Sequence, residues 1–189
     1  MRIVILHFSA RNTGNCGAIA QQLIQLHDME QCTMYPVAQA DLTPCRDCSY
    51  ECFHNPDACP HAHDDLRCIY QAIMDADLAY YILPNYADQP PAVYFAFNER
   101  SNCIFQGNEA SLNTYLAVPK RFIFVSNHPT LAFDALPQYH IVEGVVPEVL
   151  YLPPRRFCQS SIDGNIMDTP KARQLLSSFI TANEKNAID

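Results

Sequence analysis

The chain alternates short apolar runs with segments whose apolar residues recur every three or four positions. Ile3 to Phe8 is a continuous apolar run of the kind a strand buried on both faces shows, and it stops at a polar cluster, Ser9 to Gly14. Ala18, Ile19, Leu23, Ile24 and Leu26 then keep helical spacing, with Gln21, Gln22 and Gln25 opposite and Asn15 expected as the N-cap. Gln31 to Val37 reads as a second, weaker strand. Asp41 to His63 is rich in Cys, Pro, His and Asp, has no period, and is expected to be a long loop. Asp64 and Asp65 open the next helix, where their charge suits the helix dipole, and Leu66, Ile69, Ile73 and Met74 supply its apolar stripe. Leu78 to Leu83 is a strand, Asn85 to Pro91 a loop and Ala92 to Arg100 a helix. Arg121 to Val125 is another strand, ending at Ser126, Asn127, His128 and Pro129. Residues 130–146 are expected to be partly helical and Glu148 to Leu152 a last strand. Thr169 as cap and Pro170 at the first helical position then start a final helix.

Five strands alternating with helices predict an α/β fold: one domain over residues 1–189, with a five-stranded parallel sheet covered by helices on both faces. Ligands of such sheets sit beyond the carboxyl ends of the strands, where strand order reverses. The loops after the first, third and fourth strands are therefore the candidate site.

Composition narrows the function classes. Hydrophobic residues make up 49% of the 189, enough to bury a core, and the net charge of −8 repels phosphate backbones, so nucleic acid is not an expected partner. No apolar stretch reaches the roughly 18 residues of a membrane span, and Met1 to Ala10 lacks a signal-peptide pattern, so a cytoplasmic protein is expected. Nine Cys, an odd number, fit reduced thiols or metal ligands better than a disulfide framework.

The first loop reads Ser9-Ala10-Arg11-Asn12-Thr13-Gly14-Asn15-Cys16-Gly17 between a strand and a helix N-terminus, where free N–H groups favour an anion. It is neither a Walker A sequence nor a Gly-x-Gly-x-x-Gly fingerprint. It suits a terminal phosphate monoester held by Ser9, Thr13, Cys16 or main-chain N–H groups, with Arg11 supplying charge. A Cys-based phosphatase fails on spacing, because Arg11 precedes the thiol of Cys16.

This loop resembles the phosphate loop of the NADPH-dependent FMN reductase family of the flavodoxin-like superfamily, Gly-Ser-Pro-Arg-x-x-Gly-Asn-Thr. Ser9, Arg11, Gly14 and Asn15 fall in register, with Phe8, Ala10 and Cys16 in place of the family's Gly, Pro and Thr. A second stretch, Leu83-Pro84-Asn85-Tyr86 through Phe97-Asn98-Glu99-Arg100, is similar to the family's Ser-Pro-x-Tyr loop and its following helix ending Phe-x-Asp-Arg. The resemblance implies that Ser9 to Gly17 hold the phosphate of FMN and that Pro84, Asn85, Tyr86, Ala87 and Asp88 wrap the isoalloxazine ring. It also implies that Ser126, Asn127 and His128 lie near the ring's pyrimidine edge.

The activity implied is NAD(P)H-dependent FMN oxidoreduction of a flavin, quinone or other small acceptor, performed by the flavin with no catalytic side chain. A homodimer or homotetramer is implied as well. Cys45, Cys48, Cys52 and Cys59 resemble the cysteine set that binds a [4Fe–4S] cluster in iron-sulfur flavoproteins. Four thiolates also suffice for zinc; reduced thiols are the preferred reading. An iron-sulfur electron carrier and a zinc-stapled, flavin-less binding module are the alternatives. Cys32, Cys68, Cys103 and Cys158 are expected to act as small hydrophobes.

Overall fold

The computed structural model describes residues 1–11, 13–46 and 48–181; Asn12 of the first loop lies outside them. β1 (Ile3–His7) is buried throughout. Successive side chains alternate between faces, so Ile3 and Ile5 enter one core while Val4 and Leu6 enter another. β1 pairs in parallel with β2 (Cys32–Pro36) on one side and with β3 (Leu78–Pro84) on the other; Ile5 lies opposite Met34 and Tyr80. β4 (Lys120–Val125) pairs with β3, and β5 (Glu148–Tyr151) with β4. The order β2-β1-β3-β4-β5 is the flavodoxin-like order, and its reversal lies between β1 and β3.

Helices α1 (Asn15–His27) and α7 (Pro170–Thr181) cover one face, where Ile19, Leu23, Leu176 and Ile180 pack on Ile5, Tyr80 and Ile123. The other face carries α2 (Leu66–Met74), α3 (Ala92–Glu99), the single turn α4 (Asn102–Phe105), α5 (Glu109–Ala117) and α6 (Leu131–Ala135). Its core is aromatic: Tyr70 stacks on Phe97 at 4.5 Å, and Phe8 meets Tyr94 and Phe97 edge-on. Phe8, the residue standing where the family has Gly, extends the β1 ladder through its N–H to Ile82 O and is fully buried. Its bulk therefore points away from the β1–α1 loop, and burying such a ring contributes about 3 kcal/mol.

Several expectations are corrected. Gly14, not Asn15, occupies the N-cap of α1; Asn15 is the first helical residue, and its amide instead bonds Ser160 O and Ile166 N–H. α4 and α5 were not expected, because their apolar positions are few and weakly periodic. Asp64 and Asp65 do open α2, as expected: Asp65 is the N-cap residue, Asp64 Oδ1 accepts the Leu66 N–H, and the Asp65 carboxylate accepts the Asp41 N–H. Cys68 and Cys158 are exposed and Cys32 is half-buried, so only Cys103 of that set is a core thiol.

Two buried cations hold the aromatic side together. Arg100, 1% exposed, donates to Asp64 Oδ2 at 2.6 Å, Thr43 O at 2.5 Å and His61 O at 3.0 Å. Burial alone would lower its pKa, but the bond to Asp64 and that group's charge win and raise it. Lys120, 2% exposed, donates to Tyr115 O and Val118 O. With no carboxylate partner among the described residues, it is brought down by burial to a pKa of about 8.

That depression has a testable sign. The unfolded chain holds the Lys120 proton to about pH 10.5 and the folded chain to about pH 8, so the contribution of Lys120 to folding stability should rise between pH 8 and 10, by up to about 3 kcal/mol, against the opposing fall from thiols whose pKa burial raises. Urea denaturation across this range should show the stability difference, native minus Lys120→Met, growing in favour of the native chain as pH rises; a difference that does not change with pH would contradict the assignment.

Candidate functional site

The β1–α1 loop delivers an uncapped helix N-terminus to the reversal point of the sheet. The first ladder bond of α1 runs from Ala18 N–H to Gly14 O at 3.0 Å, so the N–H groups of Asn15, Cys16 and Gly17 precede the ladder. Gly14 has φ 116, a backbone that L side chains rarely adopt, and no acidic side chain lies in the first turn. Ser9 Oγ accepts the Arg11 N–H at 3.2 Å. The Arg11 guanidinium donates to Ile162 O, which folds the 160–165 segment against this loop.

Opposite lies the loop after β3. Tyr86 and Gln89 exchange N–H···O bonds of 2.9 and 3.1 Å around Ala87 (φ 51) and Asp88 (φ 63). This is a two-residue turn with both central residues left-handed, a geometry that normally selects Asn-Gly. Asn85 Oδ1 supports it by accepting the Asp88 N–H at 2.7 Å. Asn85 Nδ2 donates to Ser126 Oγ at 2.8 Å, Ser126 Oγ donates to His128 O, and His128 Nε2 lies 2.9 Å from Asp88 Oδ1. The loops after β3 and β4 are thus one hydrogen-bonded unit, joined to residues 155–161 by Asn127, whose amide accepts Arg155 N–H and donates to Ser161 Oγ.

Between them opens a cavity of about 250 Å³. Ser9, Arg11, Asn15, Cys16, all of Pro84 to Asp88, and Ser126, Asn127 and His128 line it. Thr13, Gly14 and Gly17 line a neighbouring cavity of about 650 Å³, with Arg11 standing between the two. The first volume is below the roughly 300–1,000 Å³ of a typical small-molecule site, so a ligand as large as FMN would be enclosed only in part. Val125, Pro154, Arg155 and Ser161 also line it. Of these Arg155 carries charge, and no pattern marked it because it comes from a one-turn helix far along the chain. Cys16 is 4% exposed and packs with Ile19 and Ile5; burial pushes its thiol up to about 12 despite Arg11, so it is a neutral group.

The cysteine loop does not assemble as the spacing suggests. Cys52 and Cys59 pack with Cys103, which follows α3, and Cys59 and Cys103 place their sulfurs 3.3 Å apart. Cys45 is exposed, with its N–H on Glu99 Oε1 and its thiol pushed up to about 11, first by burial and then by nearby Cys103 and Glu99. Among the described residues no group of three or more His, Cys, Asp or Glu is arranged to hold a metal ion, and no helix is long and apolar enough to cross a membrane.

No protein-family model matches the chain, and no curated protein matches it significantly. Solved structures do. FerB, a flavoenzyme NAD(P)H:(acceptor) oxidoreductase from Paracoccus denitrificans, matches with a TM-score of 0.61 at 14% identity, over 96% of this chain and 93% of its own. The NAD(P)H:quinone oxidoreductase of Methanothermobacter marburgensis matches at 0.59 and 13%, over 94% and 95%. RosB, solved with 8-demethyl-8-formylriboflavin-5'-phosphate bound, matches at 0.63 and 13%, over 98% and 81%. The chain is flavodoxin-like in fold. Its structural neighbours include NAD(P)H-dependent flavin and quinone oxidoreductases.

The left-handed Ala87 is the sharpest local test of this geometry. Ala87→Gly should stabilise the free protein by about 1 kcal/mol, because glycine takes φ 51 without the Cβ clash. A decrease in stability by urea denaturation would mean the turn is not built this way.

Proposed function

We propose that the chain is an FMN-binding, NAD(P)H-dependent oxidoreductase acting on a flavin, quinone or similar small acceptor. The observation that carries this reading is the uncapped α1 N-terminus beside Arg11, opening at the β1/β3 reversal onto the cavity rimmed by 84–88 and 126–128. Unladdered N–H groups with a cation and a hydroxyl form a phosphate cradle, and the residues present fit a flavin mononucleotide at its phosphate end. The names of FerB and the Methanothermobacter enzyme, and the riboflavin phosphate in RosB, support the choice of ligand and chemistry.

The N–H groups of Asn15, Cys16 and Gly17, with Ser9 and the Arg11 guanidinium, would hold the phosphate, and Arg11 would exchange its bond to Ile162 O for a charge-assisted one. Thr13 and Gly14 would complete the cradle from the neighbouring cavity. Pro84 to Asp88 would support the ring, and the bonded Asn85–Ser126–His128 unit would fix the edge it meets. Bound FMN would supply the hydride and electron transfer; the chain's own work is binding, orientation and leaving one ring face open. The iron-sulfur carrier is the weaker reading, since Cys52 and Cys59 pack together but, among the described residues, Cys45, Cys48, Cys52 and Cys59 do not form a group that could hold a metal.

We further read the chain as one domain working in the cytoplasm as a homodimer or homotetramer. Nine free cysteines suit a reducing compartment. Leu131 and Tyr139, 90% and 78% exposed just beyond the 126–130 turn, offer apolar surface for such an assembly to cover.

The test is anaerobic absorbance after adding FMN and removing the excess. The protein should retain flavin bands that NADH or NADPH bleaches. Arg11→Ala should weaken FMN binding about tenfold or more while leaving circular dichroism unchanged. A protein that stays colourless, or whose bound flavin neither nicotinamide reduces, contradicts the proposal.

A further inference from the structure

The segment between β2 and α2 is fastened to the body at its two ends by one side chain. Arg100 holds Thr43 O at the start of this segment and His61 O and Asp64 near its end. Between those points two one-turn helices, Glu51–Phe53 and Pro56–Ala58, lie against α4. The contact contains sulfur: Cys52, Cys59 and Cys103 are 7%, 9% and 2% exposed and pack as one cluster. Cys103 Sγ is 3.3 Å from Cys59 Sγ, and Arg100 Nη2 is 4.0 Å from Cys59 Sγ on the same side. Among the described residues no other pair of sulfurs is in hydrogen-bond contact.

A disulfide bond is about 2.05 Å long, so the two sulfurs need close by only about 1.3 Å. Neighbouring thiols held at that separation give exchange its intramolecular advantage; burial raises the pKa of the Cys59 thiol, and the His61 backbone bond and the Arg100 guanidinium oppose that only in part, so the attack gains from proximity rather than from an activated thiolate. Forty-four positions separate the two residues. A bond between them would join the later part of the cysteine segment to α4.

We propose that Cys59 and Cys103 form a redox-active dithiol, a modification site that low-molecular-weight thiol disulfides convert into a Cys59–Cys103 disulfide. The Cys59 thiolate attacks one sulfur of RS–SR, forming Cys59–S–S–R and expelling RS⁻. Cys103 loses its proton and attacks the Cys59 sulfur, expelling the second RS⁻. The two protons given up by the cysteines end on the two released thiols. The protein pair is oxidised by two electrons and the reagent disulfide is reduced by two. Cys45, Cys48, Cys68 and Cys158 are exposed or half-buried, and no sulfur of another cysteine touches theirs among the described residues. They stop at mixed disulfides. This inference is independent of the flavin reading.

The experiment uses the folded full chain, treated with a chelator and equilibrated anaerobically with mixtures of reduced and oxidised glutathione, then alkylated and digested for mass spectrometry. The expected result is a 59–103 linked peptide formed at lower proportions of oxidised glutathione than any other linkage. Intact mass should fall by about 2 Da with no glutathione adduct at either residue. The oxidised chain should melt higher, on the order of 5 °C, because the cross-link restricts the unfolded state. Cys103→Ser should abolish the linkage and leave Cys59 free or singly glutathionylated. The native chain alone also decides the matter if that variant fails to fold. Cys59 pairing as often with Cys45 or Cys52, or remaining reduced while exposed thiols are modified, would overturn the assignment.

Discussion

The carboxyl edge of the sheet depends on the turn that joins β1 to α1. β1 is an interior strand, hydrogen-bonded to β2 on one side and β3 on the other, so its end is fixed in space. A helix that starts within eight residues must reverse sharply, and Gly14 at φ 116 makes that reversal without a Cβ. Because Gly14 offers no side chain as a cap, the leading N–H groups of α1 are left to whatever enters the site. An ordinary Ser or Asp cap would satisfy part of that demand internally. The loops after β3 and β4, cross-bonded through Asn85, Ser126, His128 and Asp88, form the opposite wall. One wall supplies donors and the other shape.

The aromatic face of the sheet solves a separate problem, that of holding a long irregular segment against the body. Arg100 and Lys120 are buried cations that donate chiefly to backbone carbonyls, and so take up acceptors that a loop cannot satisfy by itself. Arg100 has Asp64 as counter-ion and stays charged. Lys120 has none among the described residues, and burial leaves its proton held more loosely than usual. The cysteine segment depends on the first of these contacts, and its sulfur cluster lies just beside it.

Much of this was legible in the sequence, and the failures have physical causes. Ile3 to Phe8 and Leu78 to Leu83 identify themselves because strands buried on both faces are uniformly apolar, and their alternation with helices fixes the fold class. Ser9, Arg11, Asn15, Cys16, Pro84 to Asp88 and Ser126 to His128 meet around one cavity because they occupy strand ends on the same edge. Arg155 and Ser161 were invisible, since they arrive from a segment without periodicity. Asn15 was misread as a cap because capping residues and residues that bind a distant loop look alike in one dimension. The neighbour of Cys59 was invisible for the same reason: Cys103 lies 44 positions away and outside the cysteine spacing.

The central claim is that the β1–α1 turn recognises a phosphate. The most direct measurement is the dissociation constant of the protein for FMN against that for riboflavin, by fluorescence titration at fixed ionic strength. Several charge-assisted bonds at 1.5–3 kcal/mol each predict that riboflavin binds about 100-fold more weakly or worse. Equal affinities for the two flavins would contradict the account.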